Sequence, residues 1–444
     1  MRSAESSERD TRGVSFSRGL GHLGRPPRQF RKPKPVTPAP ETPDRDTAPP
    51  GPRLIVGRLP LPVTWRLAGF YAAAFLTIGV FMPFWPPFLE DRGLGPEEIG
   101  FLLGLATASK VFGSPFFAHL SDRFGSRRRL MIGIALAALA AFVFYAGATT
   151  FETLMLGAIF TGLTFPALLP LGENTTLMAA RIKHFDYGRV RLWGSIAFII
   201  ASSAGGLWVD HAGVVAIPWL VIGGMALLVI SCLMIPDIRV TPARQGWRSF
   251  RGLLGNRTFV LFMLTAGLIQ CSHAAFYGFS TLHWRAAGLS ESTIGLLWAE
   301  SVAAEVVLFA FSGAIVRRVG ITRLFAYAAI IGVVRWSVTA AGTDLMVLAL
   351  VQALHAATFG ATHLAAMHFI QRAIPESVSA TAQGLYSAIV MGLMLAITMA
   401  ATGALYAAIG GGAFLAMAAM CLGGLVGAVL LSRTWHGGEL ELSA

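Results

Sequence analysis

From Leu67 to Leu431 the chain alternates apolar runs of about 20 residues with short polar breaks marked by Gly, Pro or Arg. As helices, runs of that length reach across a hydrocarbon layer of about 30 Å. The pattern predicts twelve spans, at about 67–89, 97–119, 130–149, 152–178, 190–210, 214–235, 258–282, 293–315, 323–342, 345–370, 379–407 and 411–432. The period-two segments of a membrane barrel do not occur. The expected fold is an all-α membrane protein of twelve transmembrane helices. The stretch 236–257, with Pro, Gln, Gly and five Arg, reads as a cytoplasmic linker between six-helix halves at 64–235 and 258–432. Residues 1–63 lack apolar clustering and read as a disordered basic tail, and 433–444 as a second, short tail.

Composition agrees with a bilayer setting: 55% of residues are hydrophobic, 13% are charged, and the mean hydropathy is +0.63. The net charge of +12 does not mark a nucleic-acid surface, because Lys and Arg lie mainly in the tail and at the ends of the apolar runs. Residues 1–66 hold 13 Lys+Arg against 6 Asp+Glu. Clusters at Arg123, Arg127, Arg128 and Arg129 and between Arg239 and Arg257 face only Arg92 and Arg285 on the alternate loops. That bias places both termini in the cytoplasm. Cys232, Cys271 and Cys421 lie inside apolar segments without metal-ligand spacing and are expected as small buried hydrophobes. No phosphate-binding Gly loop, H-E-x-x-H or Ser-His-Asp set occurs, so no enzyme activity, cofactor or metal is expected.

The two halves repeat one another. GLGPEEIGFLL (93–103) matches GLSESTIGLLW (288–298) at an offset of 195, which also aligns Phe81 with Phe276, Phe84 with Phe279 and Gly125 with Gly320. Halves repeated in the same sense across six spans each are the major facilitator arrangement. The loop Asp122-Arg123-Phe124-Gly125-Ser126-Arg127-Arg128 resembles that superfamily's D-R-x-G-R-R motif, with Ser126 in place of the first basic residue. Asp122 stands at a helix C-terminus, where an acid opposes the helix dipole, and calls for a basic partner. Asp122, Arg123 and Arg127 are therefore candidates for a conformational latch.

Charges inside the spans are the candidate chemistry. Lys110, Glu305, Arg335, His355 and His273 fall about 15–22 Å into their helices. A central charge costs about 2.5–3.5 kcal/mol, so each is expected to face the interior and find a partner. Glu305 is the repeat mate of Lys110, placing opposite charges at one structural position beside the substrate path. Arg335 is expected either to clamp Glu305 between adjacent spans or to take part in transport itself. Glu300 is shallower, and His363 and His368 read as local polar contacts. Glu173 follows Pro166 and Pro170, and Arg191 is its expected partner. Aromatic residues such as Trp85, Phe84, Tyr277 and Trp193 are candidates to pack against a ring.

FMPFWPPFL (81–89), FDYGRVRLWGSIAF (185–198), SHAAFYGFSTLHWRAAG (272–288), VAAEVVLF (302–309), GVVRWSV (332–338) and VQALHAATFGATHLAAM (351–367) resemble the 3-phenylpropionate transporter family. That family belongs to the major facilitators and is distantly similar to lactose permease. The resemblance runs from about Val63 to Leu431. It implies proton-linked uptake of a small aromatic carboxylate across the bacterial inner membrane, with the bilayer, protons and a small molecule as partners. It carries functional roles to Glu305, Arg335, His273, Tyr277, His355 and Tyr386. It favours a basic residue, often Arg, at Lys110 and an acid at Glu173. The expected mechanism has Lys110 or Arg335 binding an anionic group and Glu305 carrying the coupling proton, in a protein acting as a monomer. Proton-coupled efflux, sugar or nucleoside symport on the same fold, and a non-transporting receptor are the alternatives.

Overall fold

The computed structural model describes residues 53–55, 61–124, 126–239 and 248–442. Most of the expected tail over 1–63 and part of the linker over 236–257 lie outside the described residues, as do the side chains of Asp122 and Arg123. A short antiparallel pair, β1 (Arg53–Ile55) with β2 (Asp237–Arg239), lies just before the first helix and just after the sixth.

The first half consists of α1 (Val63–Asp91), α2 (Pro96–Phe124), α3 (Arg127–Gly147), α4 (Phe151–Lys183), α5 (Tyr187–Ala212) and α6 (Ile217–Met234). A short helix, α7 (Arg248–Gly255), falls within the expected linker and buries Leu253 in the second half. The second half then runs through α8 (Arg257–Cys271), α9 (Ala274–Ala286), α10 (Glu291–Ala310), α11 (Ser312–Val319) and α12 (Ile321–Ala341). It ends with α13 (Leu345–Ala353), α14 (Ala361–Ala373), α15 (Glu376–Leu385), α16 (Leu395–Ile409) and α17 (Ala413–Thr434).

Four spans expected as single helices are interrupted. The seventh breaks between α8 and α9 at Ser272-His273, and the eighth between α10 and α11. The tenth and eleventh carry π-helical stretches, Ala356–Gly360 and Tyr386–Met394. Such bulges leave backbone groups out of the regular ladder and frequently mark functional sites.

Among the described residues, eleven helical stretches are long and apolar enough to cross a membrane, but one of them, Glu376–Thr434, has 59 residues. At 1.5 Å per residue it would extend about 90 Å, far beyond one crossing. It turns back at Gly410, where φ is +53°. α17 starts beside His283 of α9, its Phe414 ring 5.8 Å away, and ends beside α14, where Arg372 donates to Gly437 O. The twelve expected crossings are therefore present.

The repeat is visible in backbone detail. Gly93 and Gly288 take φ of +85° and +88°. Gly93 N donates to Glu90 O and Gly288 N to Arg285 O, both at 2.9 Å. Leu94 N then reaches Leu89 O, and Leu289 N reaches Trp284 O. This is the same helix-terminating motif at an offset of 195, and its left-handed position suits Gly. The halves meet where α5 packs on α10, α2 on α16 and α1 on α9. Apart from these interfaces, many large apolar side chains are exposed, including Leu207, Trp219, Leu350, Ile397 and Val426. Contiguous apolar exposure on this scale suits lipid rather than water.

Candidate functional site

The tenth span supplies a polar stripe. Gln352, His355 and Thr358 follow one another at intervals of three, so α13 and the π stretch after it present them on one side. All three close on Arg335 of α12, which has no exposed surface. Its Nη2 donates to Gln352 Oε1 at 2.8 Å, and its Nη1 to Thr358 Oγ1 at 3.0 Å and to His355 Nδ1 at 3.1 Å. The guanidinium carbon also lies over the rings of Trp336 (4.3 Å) and Phe276 (5.0 Å).

These contacts fix proton positions. A guanidinium only donates, so His355 Nδ1 must accept. The imidazole is then neutral with its proton on Nε2, and Nε2 lies 3.8 Å from Glu305 Oε2. On the other side, Thr358 Oγ1 is 3.1 Å from His273 Nε2, and His273 Nδ1 is 3.1 Å from Gln270 O. The carbonyl can only accept, so His273 carries a proton on Nδ1, while the one hydroxyl proton of Thr358 has His273 Nε2, Leu354 O and His355 O as acceptors within reach. A continuous chain links Glu305, His355, Arg335, Thr358, His273 and the backbone of Gln270. His355, rather than Arg335, is the direct neighbour of Glu305, so the expected direct clamp is corrected to one relayed by an imidazole. Gly360 makes room for the acid: a Cβ there would stand 3.3 Å from Glu305 Cγ. The Glu305 side chain is 19% exposed, and the Tyr277 ring lies within its electrostatic reach.

The first half contributes two cations. Arg191 Nε lies 3.6 Å from Glu173 Oε1, the expected pairing, and its guanidinium carbon sits 4.3 Å over Phe75 and 5.3 Å over Tyr71. Arg191 also acts electrostatically on Glu305 and His363 across the interface between halves. Half-buried Lys110 has no hydrogen bond or ion pair among the described residues, and its titratable neighbour is Cys271. The expectation that Lys110 would find a partner is not met. The repeat mates Lys110 and Glu305 do not pair with one another.

Several candidates occupy other places. Trp85 is a correction: 1% exposed, it packs among Phe81, Phe88, Phe142 and Tyr145 at centroid distances of 4.7–5.8 Å, inside the core of the first half. Phe84 is likewise fully buried against Gly205. Trp193 is 40% exposed and pairs with Trp65. Tyr386 is 3% exposed and lies parallel to Phe262 in the core of the second half. Glu300 makes no ion pair among the described residues. Of the latch candidates, Arg127 donates to Asn174 Oδ1 at 2.7 Å on α4. The N-terminus of α3 is held by Asp237, which accepts from Ser126 Oγ at 2.8 Å and from Arg128 N.

Gln352, Thr358, Gln270 and Ser301, whose Oγ donates to Gln352 Oε1 at 3.0 Å, were not distinguished in the sequence; as neutral polar residues they carry no charge signal within an apolar run. An ion cluster on the Arg285 face is also new. Arg285 bridges Glu90 of α1 (3.0 Å) and Glu291 of α10. Asp210 at the end of α5 accepts from Glu291 N at 2.7 Å and from Ser292 N at 2.9 Å, capping α10 from the other half. Below it, glycines let helices touch: a Cβ on Gly100 would stand 2.6 Å from Gly403 Cα, and one on Gly104 would stand 2.7 Å from Ala396 O.

Residues 64–417 match the MFS_1 like family. The chain is 38% identical to a probable 3-phenylpropionic acid transporter of Escherichia coli over 81% of this chain and 95% of that protein. It is 27% identical to a maltose permease of Geobacillus stearothermophilus over 73% and 82% of the two chains. Among solved structures, the nucleoside transporter NupG superposes with a TM-score of 0.73 at 16% identity, covering 84% of this chain and all of that one. A bacterial homologue of the human lysosomal transporter Spinster, inward-facing and unoccupied, gives 0.66 at 14% identity, covering 84% and 96%.

Proposed function

The chain belongs to the MFS_1 like family and, within it, to the 3-phenylpropionate transporter group, and from that footing we propose that it takes up a small organic anion, such as an aromatic carboxylate, together with protons. That it is a multi-pass inner-membrane transporter and not an enzyme follows from the family. The finer reading rests on one observation: a single imidazole stands between the intramembrane carboxyl of Glu305 and the buried guanidinium of Arg335. Glu305 takes the coupling proton. The fixed tautomer of His355 directs an N–H at the carboxylate, so protonation of Glu305 loosens its tie to the Arg335 network. Loss of that charge also weakens its attraction to Arg191 on the other half. Lys110, without a counter-ion among the described residues, draws the anionic group of the cargo, and Arg191 provides a second cation opposite Glu305.

Glu90, Arg285, Glu291 and Asp210 join the halves on the face expected to be external. We read this arrangement as an inward-open state in which both termini are cytoplasmic. Cargo and proton leave on the inner side, and the halves then rock about the central site.

The test is purified protein in proteoliposomes loaded with a pH-reporting dye. Adding external 3-phenylpropionate is expected to acidify the lumen at a rate that saturates with substrate. Uptake of labelled 3-phenylpropionate with no accompanying proton movement would contradict the coupling.

A further inference from the structure

Acids outnumber cations where the halves meet on the Arg285 face. Glu90 of α1 and Asp210 of α5, both in the first half, stand against Arg285 and Glu291 of the second. The second half contributes a balanced pair, and the first half adds two negative charges. Asp210 uses both carboxylate oxygens on the backbone N–H groups of Glu291 and Ser292, where the dipole of α10 offsets about half a charge. Among the described residues, Arg285 is then the cation that Glu90 and Glu291 must share.

The excess falls on Glu291, two positions before the span expected at 293–315. It is 8% exposed, and its Oε2 has no hydrogen-bond partner among the described residues. A buried polar atom without a partner is uncommon and calls for an explanation. The charged groups that act on Glu291 come from three helices: Arg285 of α9, Asp210 of α5 and Glu90 of α1. The same four residues line a cavity of about 400 Å³. Behind them, Tyr406 of α16 lies within electrostatic reach of Glu90, and its hydroxyl is 3.4 Å from His283 Nδ1.

We propose that Glu291 is a proton-binding site of the external face, separate from Glu305, and that it takes up a proton as the halves close there. This rests on the reading that the halves rock about a central site with this face outward. With the face open, Arg285 belongs to Glu291 alone and the pair is neutral. With the face closed, Glu90 draws on the same guanidinium and Asp210 stands at the head of the same helix. An ionised Glu291 is then less favourable, and a proton on Oε2 removes the excess charge. Closure that favours proton binding is favoured by protons to the same extent. The stabilisation is present at acid pH and is lost as pH rises. In a carrier that takes in protons with its cargo, an acid exterior thus helps the loaded protein to shut its outer side.

The test is pulsed electron paramagnetic resonance on the full-length protein in nanodiscs, with spin labels on Thr149→Cys and Gly342→Cys. These exposed positions lie between α3 and α4 and between α12 and α13, at the external ends of opposite halves, and the three native cysteines are fully buried. Between about pH 8.5 and 5.5 the ratio of closed to open distances is expected to rise roughly tenfold, an ordinary size for coupling between two sites. Glu291→Gln is expected to flatten that response, whereas Glu305→Gln and His283→Gln keep it. Glu90→Gln leaves Arg285 to Glu291 alone and is expected to move the midpoint to lower pH, a result that does not depend on how Glu291→Gln folds. A response lost in Glu305→Gln or His283→Gln but kept in Glu291→Gln overturns the site. So does a wild type whose distances shift with added 3-phenylpropionate but not with pH. Distances that respond to neither overturn the rocking reading, and this site with it.

Discussion

Glu90 and Arg285 stand 195 positions apart, the offset of the internal repeat, and form an ion pair at 3.0 Å. Two groups related by a twofold axis meet only close to that axis, so this pair marks where the halves converge. Lys110 and Glu305 share the same relationship but do not meet. The symmetry is thus closed at one face and held apart deeper in.

Opening that face requires the Glu90–Arg285 pair to break. Glu90→Gln and Arg285→Gln are each expected to raise labelling of a cysteine introduced at Leu282 by a membrane-impermeant maleimide added outside. The double reversal Glu90→Arg with Arg285→Glu should restore protection. The side chains are 52% and 29% exposed, so a modest shift that shrinks with added salt is anticipated. Equal labelling in all four proteins would remove the pair from the gate.

The glycine crossings make a steric counterpart. Gly100→Val should prevent α2 from lying against Gly403 and bias the protein away from this arrangement. Transport should fall at least tenfold, while the external face becomes more reactive. A variant that stays closed and fully active would show that the crossing is not required.

Arg335 serves three acceptors and two rings from a fully buried position. Arg335→Ala leaves His355 Nδ1 without its donor and takes one donor each from Gln352 Oε1, which keeps Ser301, and Thr358 Oγ1; it should cost about 3–5 kcal/mol, seen as a clear fall in thermal midpoint in detergent. Arg335→Lys retains the charge but loses the planar fork and should fall between. Glu305→Ala, removing a side chain with 19% exposure, should lower the midpoint less. Equal midpoints for Arg335→Ala and wild type would mean that the network does not stabilise the second half.

Hydropathy and the 195-residue offset made the twelve crossings, the paired halves and the Lys110–Glu305 relationship legible, because bilayer thickness and repetition leave direct marks on sequence. The pairing of Glu173 with Arg191 was legible too, as opposite charges in neighbouring spans. Interruptions of the seventh and tenth spans were not, since Ser272, His273 and Ala356 sit in runs as apolar as their neighbours. Depth in a span did not reveal which way Trp85 turns: its aromatic neighbours could equally belong to a substrate path or to a core. The contact of Glu90 with Arg285 depends on how the halves dock, which no local pattern records.

The central claim is that Glu305 carries the coupling proton. The direct measurement compares Glu305→Gln with wild type in proteoliposomes, for accumulation of labelled 3-phenylpropionate under an imposed proton gradient and for counterflow without one. A permanently neutral residue at 305 mimics the protonated acid. The account predicts that counterflow persists within a few-fold of wild type while gradient-driven accumulation is lost. Undiminished accumulation in Glu305→Gln would contradict it.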